Sequence, residues 1–325
     1  MQLIENKRFP VMIFVCWLLL DAVSHAQSYP TRPITMVVST AAGGITDVST
    51  RIYAIPLANA LKQKIVVENR PTGGGTVAAI ATQNAAPDGY TLLSITGVQH
   101  FAIPAMQPVA YEPLKGFTPI SLLFRLPSLI VVPYDSPAHS VAELLDLGRK
   151  KAGGLSVGSA GVGSNAHLLA AKIGVLTKTP MQFVQYGGGA PLMTDLITGR
   201  LDFSFASYTA ARSNIEGKKL RPLAISSDMR LPAVRDVPTL NEVGLEQVRV
   251  GNWFGIIGPA GMPEAVVARL NDEIVKASRD KTVIERLTEN GTIIATTTPQ
   301  EMATIMRDEA ANISELIKEL GLQVR

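Results

Sequence analysis

The strongest constraint on this chain is a rhythm. From Ile34 onward, short runs of β-branched and aliphatic residues alternate with stretches that carry apolar residues at helical spacing. Such alternation marks β-α units, in which each strand hands over to a helix that packs back across a largely parallel sheet. Ile34 to Val38 reads as a first strand, buried on both faces. Thr46 to Leu61 follows as a helix, with Val48, Ile52, Ile55 and Leu61 near one stripe and Pro56 expected to kink or divide it. Lys64 to Glu68 and Tyr90 to Thr96 read as further strands, with a short helix over Val77 to Asn84 between them. A second set begins near Leu126. Its strands fall at Leu129 to Val132, Leu155 to Val157, Gln182 to Gln185, Leu201 to Phe205 and Leu220 to Ser226. Its helices fall at Ser140 to Lys150, capped by Ser140, at Asn165 to Leu176 and at Ala190 to Thr198. The remainder reads as a strand from Trp253 to Ile257 and helices over Pro263 to Arg279 and Pro299 to Leu320. The whole is two α/β lobes.

Composition narrows the function. With 46% hydrophobic residues and 30 Lys+Arg against 27 Asp+Glu, the 325-residue chain is neither disordered nor a polyanion binder, and no basic run appears. Residues 1–26 read as a signal peptide: Lys7 and Arg8 precede an apolar stretch from Val11 to Leu20, and Ser24-His25-Ala26 offers a cleavage site after Ala26. That stretch is too short to span a membrane, which takes ~20 residues. Its Cys16 follows Val15 rather than a small residue, which argues against a lipid anchor, and Cys16 is the only cysteine. The exported product therefore has no thiol for a disulfide, a metal site or a nucleophile. No metal and no cofactor is expected.

Two glycine-bearing turns stand where a strand meets a helix: Ser39 to Asp47, through Gly43, Gly44, Ile45 and Thr46, and Gly158 to His167, through Ser159, Gly163, Ser164 and Asn165. Turns of this kind gather at the carboxyl edge of a parallel sheet, and the helix start behind each supplies free N–H donors with a partial positive charge. Glycine permits close approach of an anion, and the hydroxyl and amide side chains add neutral donors. Helix capping alone would also explain these Ser, Thr and Asn residues. Gly161-Val162-Gly163-Ser164-Asn165-Ala166 fits the dinucleotide fingerprint but lacks its acid ~20 residues later, since the first acid after Ala166 is Asp195. No P-loop, G-x-S-x-G elbow or H-E-x-x-H occurs. His167 lies eight residues after Ser159 and could serve it as a base, which leaves a secreted α/β hydrolase as the alternative.

These motifs, taken in order, resemble a known family. Tyr29-Pro30-Thr31-Arg32-Pro33-Ile34, the Gly43 to Asp47 turn, Val66-Val67-Glu68-Asn69-Arg70-Pro71 with Gly73-Gly74-Gly75, and Ala86-Pro87-Asp88-Gly89-Tyr90 are similar to the start of bacterial tripartite tricarboxylate transporter substrate-binding proteins, the Bordetella uptake gene family. Gly158-Ser159 through His167-Leu168, Asp236-Val237-Pro238-Thr239 and Trp253-Phe254-Gly255 with Pro259-Ala260-Gly261-Met262-Pro263 extend the resemblance over essentially the whole chain after residue 26.

The resemblance implies a two-lobe periplasmic-binding-protein fold of the Venus-flytrap type, each lobe a mainly parallel sheet flanked by helices, joined by two hinge crossovers. Residues 27–124 and 247–325 would form lobe 1 and residues 125–246 lobe 2, with breaks near Leu123 to Leu126 and Val243 to Val248. It implies a monomeric periplasmic protein, not an enzyme, that captures a small mono- or dicarboxylate and passes it to membrane permease subunits, or to a sensor in place of a permease. No nucleic acid partner is implied. The ligand residues carried over are Gly43, Gly44, Ile45, Thr46 and Asp47, then Ser159, Gly163, Ser164 and Asn165, with an approach from Thr96 and Gly97 and a contribution from Ser207. Two positions depart from the family: Thr40-Ala41-Ala42 stands where an aromatic and two prolines are common, and Ala206-Ser207 where an Asp-Asn pair is common.

Overall fold

A computed structural model describes residues 29–248, 250–289 and 291–323; the predicted signal peptide, residues 1–26, lies outside them. The first β-α rhythm builds Ile34–Val38 (β1), Ile45–Leu61 (α1), Ile65–Asn69 (β2), Thr76–Gln83 (α2), Thr91–Thr96 (β3) and Gly97–Met106 (α3). In β1 the residues Ile34, Met36, Val37 and Val38 are buried, so both faces are covered, and β1 lies parallel between β2 and β3. Phe117–Arg125 (β4) then runs out to the first crossover.

The second lobe contains Ser128–Pro133 (β5), Val141–Lys150 (α4), Leu155–Ser159 (β6), Asn165–Thr177 (α5), Met181–Gln185 (β7), Gly189–Ile197 (α6), Phe203–Ser207 (β8), Tyr208–Glu216 (α7) and Leu220–Ile225 (β9). The chain returns through residues 226–252 to Trp253–Pro259 (β10), Glu264–Ala277 (α8), Lys281–Thr288 (α9), Ile293–Ile294 (β11) and Pro299–Glu319 (α10).

The strand orders are β11-β4-β10-β3-β1-β2 and β7-β6-β8-β5-β9. Both sheets are mixed, which corrects the expectation of mainly parallel ones. Three adjacent strands in each are parallel (β3-β1-β2 and β7-β6-β8), and the rest pair antiparallel. The cause is the double crossover: β4 and β10 join one sheet, and β5 and β9 the other, as strands that enter or leave a lobe. Residues 126 and 127 alone separate β4 from β5, so the first crossover is short. The second is long, and Thr239 still bridges to Ile225 of the second sheet.

Pro56 does not divide α1. Ile52 and Tyr53 before it and Leu57 and Leu61 after it are buried in one apolar cluster, so core packing anchors both halves despite the missing donor. Val48 and Ile55, expected on the inner stripe, are 37% and 60% exposed. Thr46, Asp47, Ser49 and Thr50 take the inner face instead, because that face meets the polar end of β3. One continuous buried cluster runs through both lobes, joining Val37, Leu93 and Phe101 to Val157, Leu168 and Phe203. The α10 helix seals it with Met302, Met306, Ile313 and Ile317, and its Glu319 reaches Lys172 of the second lobe at 3.7 Å. Among the described residues no helix is long and apolar enough to cross a membrane.

Candidate binding site at two matched turns

Parallel strands end at one edge, so β1 and β3 deliver their following turns side by side, as do β6 and β8 in the other lobe. The two glycine turns found in the sequence follow the same backbone route. In the first, Gly43 has φ +81° and donates its N–H to Asp47 Oδ2 at 2.9 Å, Gly44 N–H donates to Ala41 O at 3.2 Å, and Val48 N–H returns to Gly44 O at 2.9 Å. In the second, Gly163 has φ +76° and donates to His167 Nδ1 at 3.0 Å, Ser164 N–H donates to Gly161 O at 3.2 Å, and Leu168 N–H returns to Ser164 O at 3.0 Å. Each turn is thus pinned by the side chain one helical turn further on. The left-handed φ at the pinned position favours glycine in both.

The caps differ. Ser164 caps α5 by accepting the His167 N–H, whereas Gly44 opens α1 with no side-chain cap, leaving its first-turn N–H groups free of any side-chain acceptor. Asp47 is buried and accepts from Gly43, from Arg51 Nε at 2.9 Å and from Asn69 Nδ2 at 2.9 Å. Burial alone would raise its pKa, but the Gly43 N–H, Asn69 and Arg51 together hold it below the usual carboxylate value. Asn69 also donates to Thr40 O at 3.1 Å. Arg51 is committed to Asp47 and Asn69, so it supplies structure to the turn rather than a free cation.

Thr96 and Gly97 form the next junction, at the start of α3. Ser94, next along β3, accepts the Thr50 hydroxyl at 2.8 Å, and the Ser39 hydroxyl reaches its carbonyl, so the first turn and the β3 end are tied together. A Cβ on Gly97 would sit 2.1 Å from Cε2 of the buried Trp253. In the other lobe, Asn165 Oδ1 accepts from Ser128 Oγ at 3.0 Å, and Ser128 pairs with Ser207 across β5 and β8, which brings Ser207 beside the second turn. Ser207 caps α7. Gly163 packs on α3, its would-be Cβ lying 2.7 Å from Cε of Met106, so the second turn rests directly on the first lobe.

Ser159 is fully buried and donates to Gln185 Oε1, while His167 Nδ1 takes the Gly163 N–H and its ring packs on Phe183. The two side chains expected to pair in a hydrolase face different partners. Burial lowers the His167 pKa and brings that of His100 down to about 4, so both imidazoles are neutral near pH 7.

Among the described residues, six buried side-chain polar atoms have no partner, and three of them belong to these turns: Thr40 Oγ1, Thr46 Oγ1 and Asn165 Nδ2. Such atoms are rare in folded proteins because each costs ~1–3 kcal/mol unpaired. Half of the unpaired buried polar side-chain atoms among the described residues thus gather at these two turns.

The sequence reading did not single out Arg51, Ser128, Gln185 or the Gly187-Gly188-Gly189 turn after β7, whose would-be Cβ atoms meet nothing within 4 Å. The triple glycine was the available signal. Ser128 and Gln185 act through partners distant in sequence, and Arg51 through Asp47 one helical turn away and Asn69 on the neighbouring strand. Among the described residues no cluster of metal-binding side chains occurs.

The comparisons agree with this architecture. The family profile of the tripartite tricarboxylate transporter family receptor matches residues 50–322. A UPF0065 protein from the tcbD-tcbE intergenic region of Pseudomonas sp. strain P51 is 36% identical over 299 residues, covering 91% of this chain and 88% of that protein. The solved periplasmic binding protein BugD is 30% identical with TM-score 0.74, covering 91% of this chain and all (100%) of its own. MatC from Rhodopseudomonas palustris, with bound malate, is 32% identical with TM-score 0.73 over 89% of this chain and 100% of its own. A further R. palustris protein, with adipate, is 30% identical with TM-score 0.76 over 90% and 98%. The chain belongs to the tripartite tricarboxylate transporter receptor family, a family of solute-binding proteins with the two-lobe α/β fold of periplasmic binding proteins.

Proposed function

We propose that this protein binds a small mono- or dicarboxylate between its two lobes and delivers it to the permease subunits of a tripartite tricarboxylate-type transporter. The observation that carries the reading is the set of unpartnered donors at two matched helix starts. A carboxylate has lone pairs enough for several such donors, and helix N-termini favour its charge without an arginine. Malate and adipate in related proteins are ligands of this class. The ligand-contacting set is Gly43 to Asp47, Thr96, Gly97, Ser159, Gly163 to Asn165 and Ser207. Within it, Asp47 and Ser159 act by holding their turns, because their side chains are already hydrogen bonded inward.

The lobes are assigned to residues 27–124 with 247–325 and to residues 125–246, and the protein is taken to be periplasmic after cleavage behind Ala26. Export is checked by sequencing the amino terminus of the periplasmic product, which should begin at Gln27. The binding reading is tested by titration calorimetry with adipate and malate on Thr46→Val and Asn165→Leu. Loss of a hydrogen bond to a charged group costs ~1.5–3 kcal/mol, so each variant should bind about 10- to 100-fold more weakly. Unchanged affinity in both would remove these donors from the site.

A further inference from the structure

A cavity of about 480 Å³ lies away from the two turns, where both crossovers meet α10. Its wall takes Arg125 from the end of β4, Leu126 from the first crossover, Asp228 and Asn252 from the second, and Asp308 and Glu309 from α10. Arg125 pairs in register with Trp253 and Ile293 on the β4 edge, and β10 and β3 separate β4 from the first ligand turn on β1.

An acid and a base line this space without meeting. Glu309 is 7% exposed; one of its oxygens accepts the Gly251 N–H at 3.2 Å, and the indole N–H of Trp253 lies near the carboxyl without reaching hydrogen-bond geometry. The Arg125 guanidinium makes no hydrogen bond or ion pair among the described residues, although its field is felt at Glu309. Asp228 and Asp308 stand exposed at the rim, and neither carboxylate forms an ion pair among the described residues. A buried carboxyl with spare acceptor capacity and an uncommitted guanidinium in one cavity call for a molecule that has both an acceptor anion and a donor cation.

We propose that this hinge cavity is a second small-molecule site, distinct from the cleft, and that it takes a zwitterion of the α-amino acid type. The carboxylate of that molecule meets Arg125, and its ammonium meets Glu309 and Asp308. Because both crossovers line the cavity, its shape changes whenever the hinge turns, and its occupancy is therefore linked to lobe closure.

The test follows the fluorescence of Trp253, excited selectively as the sole tryptophan of the protein beginning at Gln27. Glycine, L-alanine and L-glutamine are titrated, with acetate and methylammonium as probes carrying one charge each. A saturable response to at least one amino acid is expected. It should weaken about tenfold or more in Arg125→Met and in Glu309→Gln and persist in the cleft variant Thr46→Val, in which acetate and methylammonium should give none. Should Arg125→Met fail to fold by circular dichroism, Glu309→Gln decides alone. The proposal is overturned if no amino acid gives a response, if acetate alone reproduces it in Thr46→Val, or if it survives unweakened in the folded cavity variants.

Discussion

Asp47 and Gly97 show how single residues shape the two junctions of the proposed cleft without a side chain free to meet a ligand. Asp47 accepts from the N–H that positions Gly43, and its ionised form is favoured in the folded chain. Its folded pKa is depressed, so the stability it contributes is present above the unfolded value of ~3.9 and is lost as pH falls through the folded one. Asp47→Asn should cost about 1–3 kcal/mol at pH 7. In urea unfolding the gap between the two proteins should shrink at pH 3, and a gap independent of pH would contradict this role. Gly97 and Gly43 form a contrasting pair. A methyl on Gly97 meets the buried Trp253 ring at 2.1 Å, whereas one on Gly43 meets no atom within 4 Å and suffers only from φ +81°. Gly97→Ala should destabilise by roughly 1–3 kcal/mol or more and Gly43→Ala by about 1 kcal/mol, as read by thermal unfolding. Equal losses would mean that the Trp253 contact relaxes freely.

At the scale of elements, the caps carry much of the order. Thr298 and Glu301 form a reciprocal capping box at the start of α10, the helix that closes the shared core. Thr298→Ala should cost about 1 kcal/mol, a fall in Tm of roughly 2–4 °C; an unchanged Tm would show that tertiary packing alone fixes this helix start. Elements with clear punctuation were legible in the sequence: β1 and the Ser140-capped α4 fall where periodicity and capping put them. Those missed carry breakers or lack spacing. Helix α3 opens on Gly97 and contains Pro104, β4 contains Pro119, and α7 begins directly after β8 with no intervening loop. The inner face of α1 was misjudged because polar residues face the site there, a tertiary preference that overrides apolar periodicity. The two glycine turns were legible as strand-to-helix junctions from their composition. Their shared pinning by Asp47 and His167, and the Arg51–Asn69 support under one of them, depend on contacts that spacing does not reveal.

At the scale of the whole molecule, two lobes share one buried cluster and are joined by one short and one long crossover. Glu309 ties α10 to the long crossover through Gly251, and burial raises its pKa to about 7 against the opposing effects of Gly251 and Arg125. Because the folded chain holds this proton more tightly than the unfolded one, Glu309 makes stability fall as pH rises from ~4.3 to about 7. Glu309→Gln should flatten that part of the profile, and an identical slope in wild type and variant would exclude the effect. The central claim remains the cleft and its carboxylate. The most direct measurement is thermal unfolding with a panel of mono- and dicarboxylates, malate and adipate included, beside sugars and simple amines. A ligand at 100 times its dissociation constant should add about 2.7 kcal/mol, seen with at least one carboxylate and lost in Thr46→Val. Stabilisation by a sugar or a simple amine, and by no carboxylate, would contradict the account.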